Sequence, residues 1–241
     1  VKPLKTESGI EYNGCDRCKK EVFQKPLKQW FFKITDYAEE LLDFKGLDWP
    51  QKTILMQKNW IGKSEGAEIL FKTRDCSVDI KVYTTRPDTI YGATYLVLSP
   101  ENPIVGELIT SANKDSVEEY IEKSKLKNEL ERTDLNKDKT GVFLGSYAIN
   151  PLSKEIMPIW IADYVLSTYG TGAIMAVPGH DERDHEFALK YNLDILKVVD
   201  CDDSDIPYSG KGNTVNSDTF NDLDTEAAKK KIIYYIKKNN I

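Results

Sequence analysis

Between residues 78 and 83 apolar and polar positions alternate, with Val78, Ile80 and Val82 set against Asp79 and Lys81. That is the period of a strand with one covered face. Apolar runs at 93–98, 142–144, 148–149, 156–161, 173–177 and 195–199, rich in β-branched or aromatic residues, predict further strands. Helical spacing appears at 104–110 and at 116–130, where Ser116 and Glu119 stand at capping-box distance. It returns at 182–191, with Phe187, Ala188 and Tyr191 on the helix and Asn192 as its stop, and at 225–238, with Ala228, Ile232, Tyr235 and Ile236 on one side. Many short strands with helices between them predict an α+β fold, a closed β-barrel core with flanking and inserted helices, rather than a doubly wound sheet.

The first 62 residues follow another pattern. An extended apolar run at 26–34 leads to Thr35, which reads as the N-cap of a short helix through Ala38, Leu41 and Leu42. Leu47-Asp48-Trp49-Pro50 breaks it, and Trp60-Ile61-Gly62-Lys63-Ser64-Glu65-Gly66 reads as a glycine-punctuated hinge. A boundary at the hinge divides the chain into a connecting segment, 1–62, and a main domain, 63–241.

Charge narrows the partners. The net charge of −6 makes general nucleic-acid binding a poor expectation, because Lys and Arg contacts to phosphate supply most non-specific affinity. Any such contact is local; the candidates are Lys123, Lys125 and Lys127, Lys229-Lys230-Lys231, and Lys237-Lys238, each of which also reads as a solvated helix face. No apolar run is long enough to span a bilayer and no basic-then-apolar leader starts at Val1, so the cytoplasm or an organelle matrix is the expected location. Four cysteines in 241 residues do not make a disulfide framework. Cys15 and Cys18 form a C-x-x-C pair, half of a zinc site by spacing, and Cys76, Cys201, His180 and His185 supply no second spaced pair.

Two segments carry the candidate chemistry. In Thr84-Thr85-Arg86-Pro87-Asp88-Thr89, Pro87 fixes its own φ and pushes Arg86 out of the helical region, so hydroxyls cluster on a kink where they could orient water or simply satisfy a turn. About 80 residues later, Gly170-Thr171-Gly172 precedes a strand. It lacks the phosphate-loop spacing and reads as a tight turn. Beyond that strand, Asp181 and Asp184 open a helix. One of them serves as a cap, and the other is left to face a pocket, where an ionised carboxylate would receive an ammonium group. His180 reads either as a general base or as a residue that shapes the pocket. A site joining the two segments requires the fold to close on itself.

The run from Thr84 to Pro103, TTRPDTIYGATYLVLSPENP, together with Tyr169 to Asp184, YGTGAIMAVPGHDERD, resembles the inserted editing domain of bacterial-type leucyl-tRNA synthetases. The valyl family carries T-T-R-P-E-T and the isoleucyl family T-T-T-P-W-T at the first motif. Trp60–Gly66 resembles the family's junction into the insertion, and residues 1–62 resemble its zinc-module remnant and connecting segment. The H-I-G-H and K-M-S-K-S signatures of aminoacylation are missing, so ATP would serve only a synthetic site this chain lacks.

The resemblance implies post-transfer hydrolysis of tRNA(Leu) esters of norvaline, isoleucine and similar amino acids. The partners would be the tRNA 3′ acceptor end and the rest of a synthetase, with no membrane and no cofactor for editing; zinc would belong to the parent enzyme. It further implies that Asp184 pairs with the substrate α-ammonium, that Thr89 excludes leucine, and that Thr84 and Thr85 stand near the ester and water. Arg86, Asp88, Tyr169, Met175, Val177, His180, Asp181 and Arg183 would line or support the pocket. Two rival readings are a non-catalytic acceptor-end binder and a zinc-dependent hydrolase built on Cys15 and Cys18.

Overall fold

The computed structural model describes residues 2–5, 11–20, 22, 27–64, 66–75, 77–127, 131–132, 138–168 and 170–241. The chain forms two compact units, one made of Val1–Gln24 with Gly66–Ile241, the other of Lys25–Glu65. In the smaller unit, Ile34–Tyr37 and Glu40–Leu42 are single 3₁₀ turns, and Thr35 lies inside the first instead of capping a helix. A helix that the pattern did not anticipate, α1 (Gln51–Ile61), follows Pro50 and ends on Gly62 in the left-handed region. Pro50 therefore marks a helix entry, where a missing N–H costs nothing.

The larger unit opens with a hairpin, β1 (Lys2–Lys5) against β2 (Glu11–Gly14). Its main sheet comprises β3 (Ala67–Thr73), β4 (Asp79–Thr84), β5 (Tyr95–Leu98), β6 (Gly141–Ile149), β7 (Ile156–Ala162) and β8 (Ala173–Ala176). The order across the sheet is β4-β3-β6-β7-β5-β8, with β5 and β7 parallel and every other pair antiparallel. The runs at 142–144 and 148–149 are one strand, irregular between Phe143 and Tyr147.

The closed barrel expected from the sequence is not what forms: this is an open mixed sheet with β4 and β8 as its edges. The two edges approach within 8 Å between Cα atoms but share no ladder. The reason lies where each strand ends. After Thr84 the chain turns into a 3₁₀ helix, Pro87–Gly92. After Ala176 the next amide, Val177 N–H, donates to the Asp184 carboxylate at 2.8 Å instead of to a strand.

The run at 195–199 is also not a strand. It makes only an isolated bridge, Val199 to Thr214. The amides of Val198 and Val199 donate to the His180 ring at 2.9 and 3.1 Å, so a side chain takes the place of a neighbouring strand.

Helices α2 (Val105–Leu108) and α3 (Lys114–Lys125) lie against β6. Helix α3 begins two residues before the expected start and has no side-chain cap; Ser116 donates its hydroxyl to Asn113 O, so no capping box forms. Residues 128–130, the expected end of that helix, lie outside the described residues. Helix α4 (Glu182–Tyr191) has the expected span, and α5 (Thr225–Asn239) packs on the 3₁₀ helix through a side that buries Ala228, Ile232 and Ile236. Tyr235 stays 42% exposed, its ring edge-on to Phe220. Among the described residues no helix is long and apolar enough to cross a membrane.

β5 is buried on both faces, and its alternation divides the core. Leu96 and Leu98 enter the main cluster with Ile69, Phe71, Ile80, Ile159 and Ile232. Tyr95 and Val97 enter a second cluster with Ala176, Phe187 and Ala188, beneath α4. Phe187 is fully buried and stacks on Tyr95 at 5.4 Å between ring centroids. This second cluster fixes α4 on the sheet, and α4 carries the acids of the candidate site.

Candidate functional site

The gap between the edges β4 and β8 is a cleft. It is lined by Tyr83, Thr84, Thr85, Arg86, Thr89, Ile174, Met175, Val177, His180, Asp181, Arg183 and Asp184. The two sequence segments therefore converge. Ten of the twelve residues were singled out from the sequence; Tyr83 and Ile174 were not. Asp88 supports the cleft from behind and Tyr169 lies outside the described residues.

Helix α4 assigns different tasks to its two acids. Asp181 is extended (φ −140°, ψ 129°) and its side chain accepts the N–H groups of Arg183 and Asp184, so it is the cap. Asp184 lies in the first turn, on the same face as Phe187, Ala188 and Tyr191 by i, i+3, i+4 and i+7 spacing. That face is the buried one, and Asp184 is only 5% exposed. Its Oδ2 accepts Val177 N–H at 2.8 Å and its Oδ1 accepts the Tyr164 hydroxyl at 3.2 Å.

Burial pushes the Asp184 carboxyl up to about 7, and the charge of Asp181 acts in the same direction. The Val177 N–H, the Arg183 charge and the Tyr164 hydroxyl oppose the rise. The helix dipole, which the sequence suggested would keep this acid ionised, is outweighed by the loss of water. A cation entering the cleft would restore the charge.

On the opposite wall, Thr84 Oγ1 accepts Arg86 N–H at 3.0 Å. Gly66 lets the neighbouring chain approach: a Cβ there would lie 2.2 Å from Thr84 O. Arg86 folds back on Asp88, with Nε 3.1 Å from both carboxylate oxygens and Nη2 2.8 Å from Oδ2, and Nη1 donates to Ser209 O at 3.1 Å. Asp88 is fully buried, so its charge is compensated by this fork. Thr89 is 2% exposed and its hydroxyl donates to Arg86 O at 2.9 Å, which fixes its rotamer in the first turn of the 3₁₀ helix.

His180 is not arranged as a base. Its Nε2 lies 2.9 and 3.1 Å from Val198 N and Val199 N, so it accepts from both and carries no proton. Its Nδ1 then holds the proton and donates to Tyr208 O at 2.8 Å. Burial lowers the pKa of the imidazole, in keeping with a ring locked in its neutral form. The ring ties the loops at 198–199 and 208 to the cleft floor. Gly170-Thr171-Gly172 is a turn, pinned by Asn102 Nδ2, which donates to Thr171 O at 3.2 Å and Gly172 O at 3.1 Å. Tyr164 and the partners of His180 lie in neither the 84–103 nor the 169–184 run and could not be found from sequence; Tyr95 falls inside the first run, but nothing in its spacing ties it to Asp184.

The C-x-x-C pair sits apart from the cleft lining. Cys15 and Lys20 close a turn, with Cys15 N donating to Lys20 O and Lys19 N to Cys15 O, both at 2.9 Å. Hydrogen bonds from the amides of Cys18 and Arg17 lower the Cys15 thiol. Among the described residues no group of three or more His, Cys, Asp and Glu could hold a metal ion, so the donor set present does not complete a tetrahedral zinc site.

The family model for the leucyl-tRNA synthetase editing domain matches residues 58–237. A leucine–tRNA ligase of Clostridium perfringens (strain SM101 / Type A) is 52% identical over 224 residues, covering 91% of this chain and 28% of that protein. The Clostridium beijerinckii leucine–tRNA ligase is 53% identical over 231 residues, covering 94% and 28%. Among solved structures, the ternary complex of Agrobacterium radiobacter K84 agnB2 LeuRS-tRNA-LeuAMS superposes with a TM-score of 0.71 at 32% identity, over 92% of this chain and 25% of that one. The chain thus spans about a quarter of the length of the curated relatives it matches.

Proposed function

The chain belongs to the leucyl-tRNA synthetase editing-domain family, and from that premise we propose that its cleft hydrolyses the ester of mischarged tRNA(Leu). The observation that carries this reading is the meeting of Thr84, Thr85 and Thr89 from one segment with Asp184 from another in a single cleft. The substrates are noncognate amino acids such as norvaline and isoleucine on the 3′ adenosine of the tRNA. A pocket that selects apolar side chains discriminates poorly by one methylene, about 1–3 kcal/mol, which is why a second, hydrolytic site is useful.

Asp184, once ionised, holds the α-ammonium group. Thr89, with its rotamer fixed against Arg86 O, stands where the leucine side chain would clash. The hydroxyls of Thr84 and Thr85 orient water and the ester carbonyl. An aminoacyl ester is already reactive, so positioning and polarisation suffice without a covalent nucleophile. His180 takes no proton from the water, because both ring nitrogens are occupied.

The test is hydrolysis of isoleucyl-tRNA(Leu) beside leucyl-tRNA(Leu) by the 241-residue chain. Selective loss of the isoleucyl ester is the expected result. Binding of both tRNAs with no turnover of either would leave an acceptor-end binder in place of an enzyme.

A further inference from the structure

Asp184 is held by two tyrosines, Tyr95 from within the 84–103 run and Tyr164 from outside both motif runs. Tyr164 lies just beyond β7, is 5% exposed, and donates its hydroxyl to Asp184 Oδ1 at 3.2 Å. Tyr95, the first residue of β5, donates to the main-chain oxygen of Asp184 at 2.8 Å. Phe187 packs against both rings, 5.4 Å from Tyr95 and 5.9 Å from Tyr164 between centroids, which restricts their swing. With Val177 N–H on Oδ2, each carboxylate oxygen has one donor from a different element, and the backbone of Asp184 is fixed from a third.

We propose that Tyr164 is a positioning residue for Asp184: its hydroxyl sets the plane of the carboxylate and favours the anion, leaving the remaining lone pairs to face the cleft. The inference rests on the deacylase reading, in which Asp184 must be an anion to hold an ammonium group. The ionisable groups that bear on Asp184 are Tyr164 from beyond β7, Tyr95 from β5, and Asp181 and Arg183 from the start of α4. β8 contributes no ionisable side chain. Asp181 disfavours the anion and Arg183 favours it. Removing the Tyr164 hydroxyl leaves both in place, so its effect can be read by itself.

The experiment compares wild type with Tyr164→Phe in the full chain. The first reading is the ¹³C titration of the Asp184 side-chain carboxyl without substrate, assigned with Asp184→Asn. Loss of one hydrogen bond to the anion is expected to raise the midpoint by about one pH unit. The second reading is the pH profile of kcat/KM for isoleucyl-tRNA(Leu), corrected for enzyme-free hydrolysis. Its acid limb is expected to move with the midpoint, a loss of about fivefold at pH 7 that is regained near pH 8.5.

A merely structural role would lower kcat/KM at every pH and leave the midpoint in place, and that result overturns the proposal. Incorporation of 3-fluorotyrosine at position 164 keeps the shape and strengthens the donor, so it is expected to shift the midpoint downward; an upward shift or none counts against the proposal even if Tyr164→Phe fails to fold. If wild type leaves both esters intact, the deacylase reading fails, and the substrate-free titration still decides whether Tyr164 governs Asp184.

Discussion

Asp181 accepts the backbone N–H of Asp184 at 3.2 Å, and its charge makes that same residue harder to ionise. The cap and the penalty can be separated. Asp181→Asn keeps an acceptor for the N–H groups of Arg183 and Asp184 and removes the charge. The Asp184 midpoint is expected to fall while the melting temperature changes little. Asp181→Ala, by contrast, loses the cap and about 1 kcal/mol of stability. A midpoint unchanged in Asp181→Asn would show that burial alone sets it.

Asp184→Asn should abolish turnover of isoleucyl-tRNA(Leu) and stabilise the fold at high pH. The wild-type carboxyl has an ordinary value of 3.8 and sits at about 7 in the folded chain. The folded state therefore holds a proton that the unfolded state has released between those values, and wild-type stability declines as pH rises through that window. Urea unfolding of the two proteins should show the advantage of the variant growing from pH 4 to 7 and levelling off above. Equal pH slopes would contradict a raised carboxyl.

Thr89→Ala should let leucyl-tRNA(Leu) be hydrolysed. The variant also loses the hydroxyl bond to Arg86 O, costing about 1 kcal/mol, which leaves the fold intact. Leucyl-tRNA(Leu) as long-lived with the variant as with wild type would rule out the gating role proposed for Thr89.

His180→Ala should destabilise the chain by about 2–4 kcal/mol at pH 7.5, since the buried amides of Val198 and Val199 lose their acceptor. It should also flatten part of the acid response. The folded-state pKa of His180 lies below the ordinary 6.5, so its contribution is complete above 6.5 and is lost as pH falls through the folded value. Both proteins retain Asp184, so the difference between their stability curves isolates the imidazole. Parallel curves from pH 5 to 8 would refute a locked neutral ring.

Phe187→Ala removes the ring around which Tyr95, Trp160, Tyr164 and Tyr191 pack. A loss of about 3–5 kcal/mol is expected, read from chemical unfolding. Because the same ring restrains the tyrosines that hold Asp184, turnover should fall more than in a cavity variant of equal cost in the main cluster, such as Ile159→Ala.

The sequence is legible where the physics is local. The span of α4, a cap by one of its two acids and its Asn192 stop follow from hydrogen bonds within a few residues; that the cap is Asp181 is settled by the fold. The convergence of Thr84–Thr89 on Asp184 was expected from motif resemblance, and the cleft contains it. Barrel closure was not legible, because it depends on whether two strands about 90 residues apart meet within hydrogen-bond reach; Val177 N–H, drawn to Asp184, shows how a single side chain can decide against a ladder. The run at 195–199 has strand composition, but its amides are claimed by the His180 ring. Helix α1 is hidden in the sequence because Pro50 suits a helix stop as well as the entry it proves to be. Tyr95 and Tyr164 reach Asp184 from 89 and 20 residues away, and no spacing rule encodes such contacts.

The unzipped margin between β4 and β8 is what leaves room for a guest. Stitching those margins together would close the recess in which the proposed ester would lie. It would also oblige Val177 to surrender Asp184. A tidier sheet would be a sealed one, and the hospitality of this fold depends on its remaining unfinished.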